Sequence, residues 1–229
     1  MSLNDRTQPS GGVVKTSDTD PAGSQLPADC ERIAACLAGP EVTERPGLPL
    51  DRSALRDAAV LVPLVQRPAG LHVILTRRSE DLASHAGQIS FPGGRIDPGD
   101  ATPLKAALRE ADEEISLAPS RVQLLGAMPH YPTATGFMIH PFVGYIRDSG
   151  ILVPQPSEVA EIFEVPLAFF LDPANHRPHH IEHQGQQYRL HAMPYGDYYI
   201  WGATAAILRE LYARVRGHAP EMLPEHARP

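Results

Sequence analysis

Three glutamates with helical spacing are the residues of this sequence best suited to carry chemistry. Glu110, Glu113 and Glu114 stand at positions i, i+3 and i+4 of the segment 102–115, so a helix places them on one face. Carboxylates at this spacing repel each other by roughly 0.2–0.5 kcal/mol per pair. A divalent cation would turn that repulsion into attraction, because Mg²⁺ and Mn²⁺ prefer oxygen ligands. The pattern therefore predicts a metal site, and the alternative is a solvated acidic face.

The residues just before this helix favour the metal site. Gly93 and Gly94 permit backbone conformations closed to other residues, so the chain can approach a ligand closely there. A strand, a glycine turn, a loop and an acidic helix together make a pocket wall with oxygen ligands. The apolar positions of the helix share a different face, which we expect to be the buried one: Leu104, Leu108, Ala111 and Ile115.

The elements that must position these residues form a mixed pattern of strands and helices. Apolar and β-branched runs predict strands over 58–65, 71–78, 88–94, 122–130, 138–146, 159–167, 186–195 and 198–202. The third of these runs into a tight glycine turn, and the sixth leads into a short helix over 167–172. Helical periodicity predicts helices over 30–39, 102–115 and 203–216, and Thr102 and Pro103 suit the start of the second. A mixed sheet flanked by helices is the simplest architecture for this order.

Composition limits the possible function classes and partners. The chain has 229 residues and a formal net charge of −7, which argues against a general nucleic-acid binder and against adhesion to anionic membranes. No apolar run approaches the ~20 residues of a membrane span. The start, MSLNDRTQPSGG, lacks a basic cap followed by an apolar block, and Cys30 and Cys36 predict two reduced thiols. We therefore expect a soluble cytoplasmic protein.

The chain divides into three parts by composition. Residues 1–28 are rich in Ser, Gly, Thr, Asp and Pro and predict a flexible leader. Residues 29–216 contain the predicted helices and strands and form the expected catalytic domain, including a short N-terminal helix. Residues 217–229 are a polar tail. The sequence does not fix the oligomeric state, and a homodimer is compatible with it.

The segment GGRIDPGDATPLKAALREADEEISL (93–117) resembles the signature of the Nudix hydrolases. The residues that match the R-E…E-E core of that signature are Arg109, Glu110, Glu113 and Glu114. The resemblance departs in two respects: Ser116 replaces a glycine, and Asp100 replaces a glutamate with one extra residue before the helix. It implies an α/β/α sandwich with a mixed β-sheet and a loop-helix-loop metal motif.

The same resemblance implies a reaction and roles for the core residues. Nudix hydrolases cleave a diphosphate that is joined to another moiety, with Mg²⁺ or Mn²⁺ as cofactor. Glu110 and Glu114 would be the primary metal ligands, and Glu113 a ligand or a water-mediated partner. Arg109 would orient a glutamate through a charge-assisted pair. The general base is left open between Glu110 and an acid of the later segment 157–167, where Glu158 and Glu161 are the candidates.

The preceding segment, ILTRRSEDLASHAGQISFPGG (74–94), is similar to that of the coenzyme A pyrophosphatases. The matching residues are Leu75, Thr76, Arg78, Ser79, His85, Gly87, Gln88, Phe91, Pro92, Gly93 and Gly94. Ala83 departs from the pattern, because a basic residue is usual there. Weaker similarity extends over residues 57–212. The resemblance implies hydrolysis of coenzyme A or an acyl-CoA to 3′,5′-ADP and (acyl-)4′-phosphopantetheine.

The residues expected to bind this small-molecule diphosphate lie around the glycine turn: Arg78, His85, Gln88, Gly93, Gly94 and Arg95. His85 has a structural alternative, in which it only holds the loop. Arg77 also lies nearby, but strand side chains alternate, so Arg77 and Arg78 cannot both face the pocket of a regular strand.

Other functions remain open at this stage. A Nudix hydrolase for another substrate, such as ADP-ribose, NADH or a nucleoside triphosphate, is the main alternative. A Nudix-fold binding module without catalysis is disfavoured because Glu110, Glu113 and Glu114 are all retained. A zinc site in the HHIEH run (179–183) is also disfavoured, because we expect this polar stretch to be irregular and it lacks HExxH spacing. Trp201 is expected in the core rather than as an adenine platform.

Overall fold

The computed structural model describes residues 26–39, 55–82, 84–147, 150–183 and 186–222. Nearly all of the expected leader, most of the proline-rich segment 40–56, Ala83 and the end of the polar tail lie outside the described residues. The expected division into leader, domain and tail therefore stays a prediction.

The helices and strands follow the sequence pattern closely. The described helices are α1 Ala28–Ala38, α2 Pro103–Ile115, α3 Leu167–Leu171 and α4 Gly202–His218. The described strands are β1 Arg56–Arg67, β2 Gly70–Arg78, β3 Ile89–Ser90, β4 Gly93–Arg95, β5 Val122–Ala127, β6 Tyr131–Pro132, β7 Phe137–Ile146, β8 Val159–Pro166, β9 Arg177–His183, β10 Gln186–Tyr195 and β11 Tyr198–Trp201. The hydroxyl of Thr102 accepts a hydrogen bond from the Lys105 N–H at 3.2 Å, which confirms the predicted start of α2.

The main sheet is mixed, as predicted. Within the described residues it has eight strands, with the path β3-β2-β1-β7-β5, and β4 pairs with β1, β6 with β7 and β8 with β2. Strands β1 and β7 are parallel, and the other pairs in this sheet are antiparallel. A second sheet joins β9, β10 and β11 in antiparallel register.

Helices cover both faces of the main sheet, so the fold has three layers. Helix α2 covers one face, with a core of Ala59, Leu61, Val65, Ile74, Ala106, Ala107, Ala111, Ile115, Leu117 and Ile146. The other face packs against α1, α3, α4 and the second sheet, with a core that includes Ile33, Leu64, Leu75, Phe170, Met193, Ile200 and Leu208. This layering confirms a mixed sheet between helices.

The buried face of α2 agrees with the predicted one only in part. Ala107 and Ala111 are fully buried, whereas Leu104 and Leu108 are only half-buried. Small side chains let the helix approach the sheet closely, and the longer leucines then lie along its flank. Glu114 faces inward beside the alanines and is 2% exposed. The prediction is therefore confirmed for Ala111 and Ile115, which are fully buried, and only in part for the two leucines, of which Leu108 packs against the edge of this core.

Two other segments also differ from prediction. The HHIEH run, expected to be irregular, lies in β9, where pairing with β10 from Arg177↔Ala192 to Gln186↔His183 supplies its backbone hydrogen bonds. The short strand expected before the glycine turn covers only Ile89–Ser90, and the glycines themselves belong to a further strand, because the chain leaves β2 after Ser90 and joins β1 at Gly93. This change of partner places the glycine pair beside α2.

Candidate active site

The glycine turn brings the chain against the backbone of β1. Gly93 pairs with Val60, and Gly94 pairs with Ala59. Gly93 has a φ of 153°, and a Cβ at that position would collide with the Ala59 carbonyl oxygen. Only glycine combines this backbone conformation with so close an approach. The turn therefore fixes β4 at the centre of the sheet, directly beneath α2.

Glu110 lies over Gly94 in space that a side chain would otherwise fill. A Cβ on Gly94 would stand 2.5 Å from the Glu110 carboxyl carbon and 2.6–2.7 Å from its oxygens. Burial raises the pKa of Glu110, and nearby Glu113 and Glu158 raise it further, while Arg109 lowers it. Because Gly94 has no side chain, the Glu110 carboxylate can lie against the strand backbone.

Glu114 is the most deeply buried acid of the site. The Gly93 N–H donates to its Oε2 at 3.0 Å, and Arg78 Nη1 lies 3.6 Å from its Oε1. Burial raises the pKa of Glu114 to about 7, although the Gly93 N–H and Arg78 both lower it, while Glu110 and Glu158 raise it. A bound cation would stabilise the charged form of a carboxylate that is buried next to other acids.

Arg109 joins the loop after β4 to the helix. Its Nε and Nη2 donate to the two carboxylate oxygens of Asp100 at 3.1 and 3.0 Å, and Nη2 also donates to the Arg95 carbonyl at 3.3 Å. Its Nη1 lies 3.0 Å from Glu110 Oε1 and donates to Glu113 Oε2 at 2.8 Å. The hydrogen bonds from Arg109 are the main cause that lowers the pKa of Asp100.

This arrangement accounts for the departures before the helix. Asp100 is shorter than the glutamate usual in the resemblance, and the loop has an extra residue, yet Asp100 reaches Arg109 with both oxygens. Glu113 turns towards Arg109 and its side chain is 59% exposed. Glu113 is therefore set apart from Glu114, although the two are adjacent in sequence.

Glu158 belongs to a segment that is bound to the end of α2. The Val153 N–H donates to the Ile115 carbonyl at 3.1 Å, and the Gln155 N–H donates to the Glu114 carbonyl at 2.8 Å. The Glu158 carbonyl in turn accepts from the Ser79 N–H at 2.8 Å. These long-range backbone contacts have no signal in the sequence, and they explain why Glu158 raises the pKa of two acids on α2.

Glu161, the other candidate base, has different partners. The Tyr198 hydroxyl donates to Glu161 Oε1 at 2.6 Å, and Arg77 Nη2 lies 3.3 Å from Glu161 Oε2. The ring of Tyr198 stacks on Phe163, which belongs to the core on the side of the sheet opposite α2. Tyr198 is a contact that sequence spacing did not indicate. Of the two later acids, Glu158 is the one placed with the α2 carboxylates.

Two neighbouring arginines of β2 have different partners. The register between β2 and β8 shifts between Arg77 and Arg78. Arg77 pairs with Glu161, whereas Arg78 pairs with Glu114. As expected from strand alternation, the two side chains do not share a partner.

The other residues expected to contact substrate lie on either side of the glycine turn. His85 has a positive φ of 57°, and its Nδ1 is 2.9 Å from Gln88 Oε1, so these two side chains hold each other. The Gln88 carbonyl accepts from the Arg78 N–H at 3.0 Å. The Arg95 side chain is exposed on β4. Trp201, expected in the core, is only half-buried, with its ring 5.0 Å from that of His179.

The carboxylates Glu110, Glu113 and Glu114 are of the chemical type that binds a hard divalent cation, but Glu113 is paired with Arg109. Within the five described stretches, no group of three or more His, Cys, Asp or Glu side chains is arranged to hold a metal ion. Glu114, which is buried, and Glu110, which is half-buried, supply two carboxylates beside the backbone of Gly93 and Gly94, and the third, Glu113, is engaged by Arg109. Oxygen donors of this kind suit Mg²⁺ or Mn²⁺.

The chain is similar to a known protein family and to named bacterial proteins over most of its length. The family model described as NUDIX domain matches residues 55–184, which include all the acids discussed above. The protein named Uncharacterized Nudix hydrolase NudL from Escherichia coli (strain K12) is 42% identical over 161 residues, covering 70% of this chain and 83% of that protein. The protein of the same name from Cronobacter sakazakii is 43% identical over 169 residues, covering 72% and 87%.

Solved structures also resemble this one. The Nudix hydrolase RenU from M. smegmatis has a TM-score of 0.42 and 23% sequence identity, covering 49% of this chain and 71% of that one. In the part of the chain that the structure describes, no helix is both long and apolar enough to cross a membrane.

Proposed function

Because the chain belongs to the Nudix hydrolase family, we propose that it hydrolyses the diphosphate bond of coenzyme A or an acyl-CoA. The products would be 3′,5′-ADP and (acyl-)4′-phosphopantetheine, and the cofactor Mg²⁺ or Mn²⁺. The observation that carries the proposal is the placement of Glu110 and Glu114 beside the Gly93–Gly94 turn, with Glu158 near enough to raise the pKa of both. The choice of coenzyme A rests on the motif in residues 74–94, since the relatives' names specify no substrate.

We assign Glu110 and Glu114 as the metal-holding residues, with Glu113 as a third ligand or a water-mediated partner. A bound divalent cation would neutralise diphosphate oxygens and make a bound water more acidic. Arg109 contributes indirectly, because its pairs with Asp100 and Glu110 fix the carboxylate relative to the loop. This positioning is what phosphoryl transfer chiefly requires.

We assign Glu158 as the general base. Its carboxylate would accept a proton from the attacking water while the water oxygen bonds to phosphorus and the bridging P–O bond breaks. The electrostatic coupling of Glu158 to both Glu110 and Glu114 supports this assignment, as does the backbone bond to Ser79. Glu161 is engaged by Tyr198 and Arg77, which argues against it.

The substrate is strongly anionic and the chain is net negative, so local cations have to attract it. Arg78 and Arg95 flank the glycine turn and are proposed to contact phosphate. His85 and Gln88 bind each other at 2.9 Å and are proposed to shape the loop that receives the rest of the substrate. Action in the cytoplasm, on a small molecule rather than on nucleic acid, is part of the same proposal.

A product assay tests this function directly. Purified protein would be incubated with Mg²⁺ or Mn²⁺ and, separately, with coenzyme A, ADP-ribose, NADH and dGTP, and products resolved by chromatography and mass. We expect 3′,5′-ADP from coenzyme A with the highest kcat/KM. Glu114→Gln should abolish turnover and leave the fold intact. Asp112→Asn, an exposed acid on the same helix, is the matched control and should retain turnover.

Other outcomes have clear meanings. Preference for ADP-ribose, NADH or dGTP would show that residues 74–94 shape the turn without selecting coenzyme A. Absence of turnover with every substrate would favour a binding module. Wild-type turnover in Glu114→Gln would remove the metal assignment.

A further inference from the structure

Arg78 is the cationic side chain that pairs with the buried Glu114. Its Nη1 lies 3.6 Å from Glu114 Oε1, and the side chains are 24% and 3% exposed. The second oxygen of Glu114 receives the Gly93 N–H. A buried carboxylate without a compensating charge is strongly unfavourable, so this pair stabilises Glu114 in the metal-free protein.

The pair is loose on the arginine side. A distance of 3.6 Å exceeds the 2.7–3.2 Å usual for an N–H···O hydrogen bond, so the contact is mainly electrostatic. Arg78 Nε is buried and has no hydrogen-bond partner among the described residues. A guanidinium normally uses its planar set of donors, and oxygen pairs such as those of phosphate suit it well. Arg78 therefore keeps donors to offer to another anion.

The backbone around Arg78 is held so that its side chain faces α2. The Arg78 N–H donates to the Gln88 carbonyl at 3.0 Å, and the alternation of side chains along β2 places Arg77 and Arg78 on opposite faces. Arg77 is held by Glu161 at 3.3 Å and lies over the ring of Tyr198. The chain thus provides two adjacent arginines, one facing the candidate site and one bound elsewhere.

We propose that Arg78 is an exchangeable counter-ion, which pairs with Glu114 in the metal-free protein and moves to the diphosphate of the substrate once Glu114 binds a divalent cation. This inference rests on the proposed function. Arg78 then opposes metal binding, because both cations compete for one carboxylate, and it favours substrate binding. Removing it should move the two affinities in opposite directions, which a purely structural role would not do.

The test measures Mn²⁺ binding by titration calorimetry without substrate, and then the binding of adenosine 5′-(α,β-methylene)diphosphate at saturating Mn²⁺. We expect Arg78→Met to bind Mn²⁺ roughly five-fold more tightly, since a competing charge is gone. It should bind the analogue about ten-fold more weakly, from loss of charge-assisted hydrogen bonds. Arg77→Met is the matched control and should leave the Mn²⁺ affinity unchanged.

Arg78→Lys guards against a folding defect, because it retains the charge and should keep an Mn²⁺ affinity near that of the wild type. Weaker or unchanged Mn²⁺ binding in Arg78→Met, with Arg78→Lys folded, would overturn the competition. Unchanged analogue binding would overturn the transfer to substrate. If the wild type binds no Mn²⁺, the proposed metal-dependent function fails and this inference fails with it. Binding by the wild type without the opposite shifts refutes this inference alone.

Discussion

The space over Gly94 can be filled by a single methyl group. In Gly94→Ala the new Cβ would lie 2.5 Å from the Glu110 carboxyl carbon and 2.6–2.7 Å from its oxygens. Non-bonded carbon atoms rest at about 3.5–4.0 Å, so the carboxylate would have to withdraw by roughly 1 Å. The obstacle is the end of a flexible side chain, and the backbone at residue 94 is open to alanine, so the fold should persist.

The expected result is a loss of activity with little change in stability. A misplacement of about 1 Å in a catalytic group lowers turnover by up to about 100-fold. The free energy of unfolding should change by less than about 1 kcal/mol, since alanine at a compatible position also restricts the unfolded chain. The measurements are kcat on the substrate found in the product assay and thermal unfolding by circular dichroism.

Two glycine variants bracket this prediction. Gly99→Ala introduces a Cβ into open space and should match the wild type in both measurements. Gly93→Ala places its Cβ against the Ala59 carbonyl, which cannot move aside, at a φ of 153°, so it should lose stability as well as activity. Wild-type kcat in Gly94→Ala would refute the placement of Glu110 over residue 94.

Three other predictions concern the acids of the site and the end of α2. In metal-free protein the pKa of Glu114 is about 7, against an ordinary value of 4.5. Between these two pH values the folded protein keeps a proton on Glu114 that the unfolded chain has lost. The free energy of unfolding should therefore fall as pH rises from 4.5 to 7, by up to about 3 kcal/mol. Urea unfolding in EDTA at pH 5 and 8 should show that Glu114→Gln is less sensitive to this change, and equal pH dependence would contradict the burial argument. Glu158→Gln should reduce kcat at least about 100-fold with the fold intact, whereas Glu161→Gln should lose much less, and the reverse order in steady-state assays would identify the other acid as the base. Ser116→Gly should raise the free energy of unfolding, measured by chemical denaturation, by about 0.5 kcal/mol, because glycine adopts a φ of 55° without strain. The substitution removes only an exposed hydrogen bond of 3.3 Å from the Ser116 hydroxyl to the Val153 carbonyl. A destabilised variant would show that this hydrogen bond outweighs the relief of backbone strain.

Local features of the site could be predicted from the sequence, and long-range ones could not. Helix α2 has a cap at Thr102, a proline at its first position and strong periodicity, so its limits follow from near neighbours. The spacing of Glu113 and Glu114 shows that both lie near one face, but their different burial depends on Arg109 and the sheet.

The errors have the same origin. Ala111 and Ile115 are buried as predicted, but Leu104 and Leu108 are only half-buried, because the small side chains of the helix lie closest to the sheet. Polar β9 is a strand because β10 pairs with it, which overrides weak local preference. The attachment of residues 153–158 to α2 uses backbone atoms, which any sequence provides, so no residue type marks it.

That attachment has a consequence for the local unfolding of the site. The amides of Val153 and Gln155 donate to the last carbonyls of α2, so the segment bearing Glu158 cannot detach without exposing the end of the helix bearing Glu114. Elements joined in this way unfold locally as one cooperative unit. Glu114 and Glu158 are therefore ordered together or lost together when this part of the molecule unfolds locally.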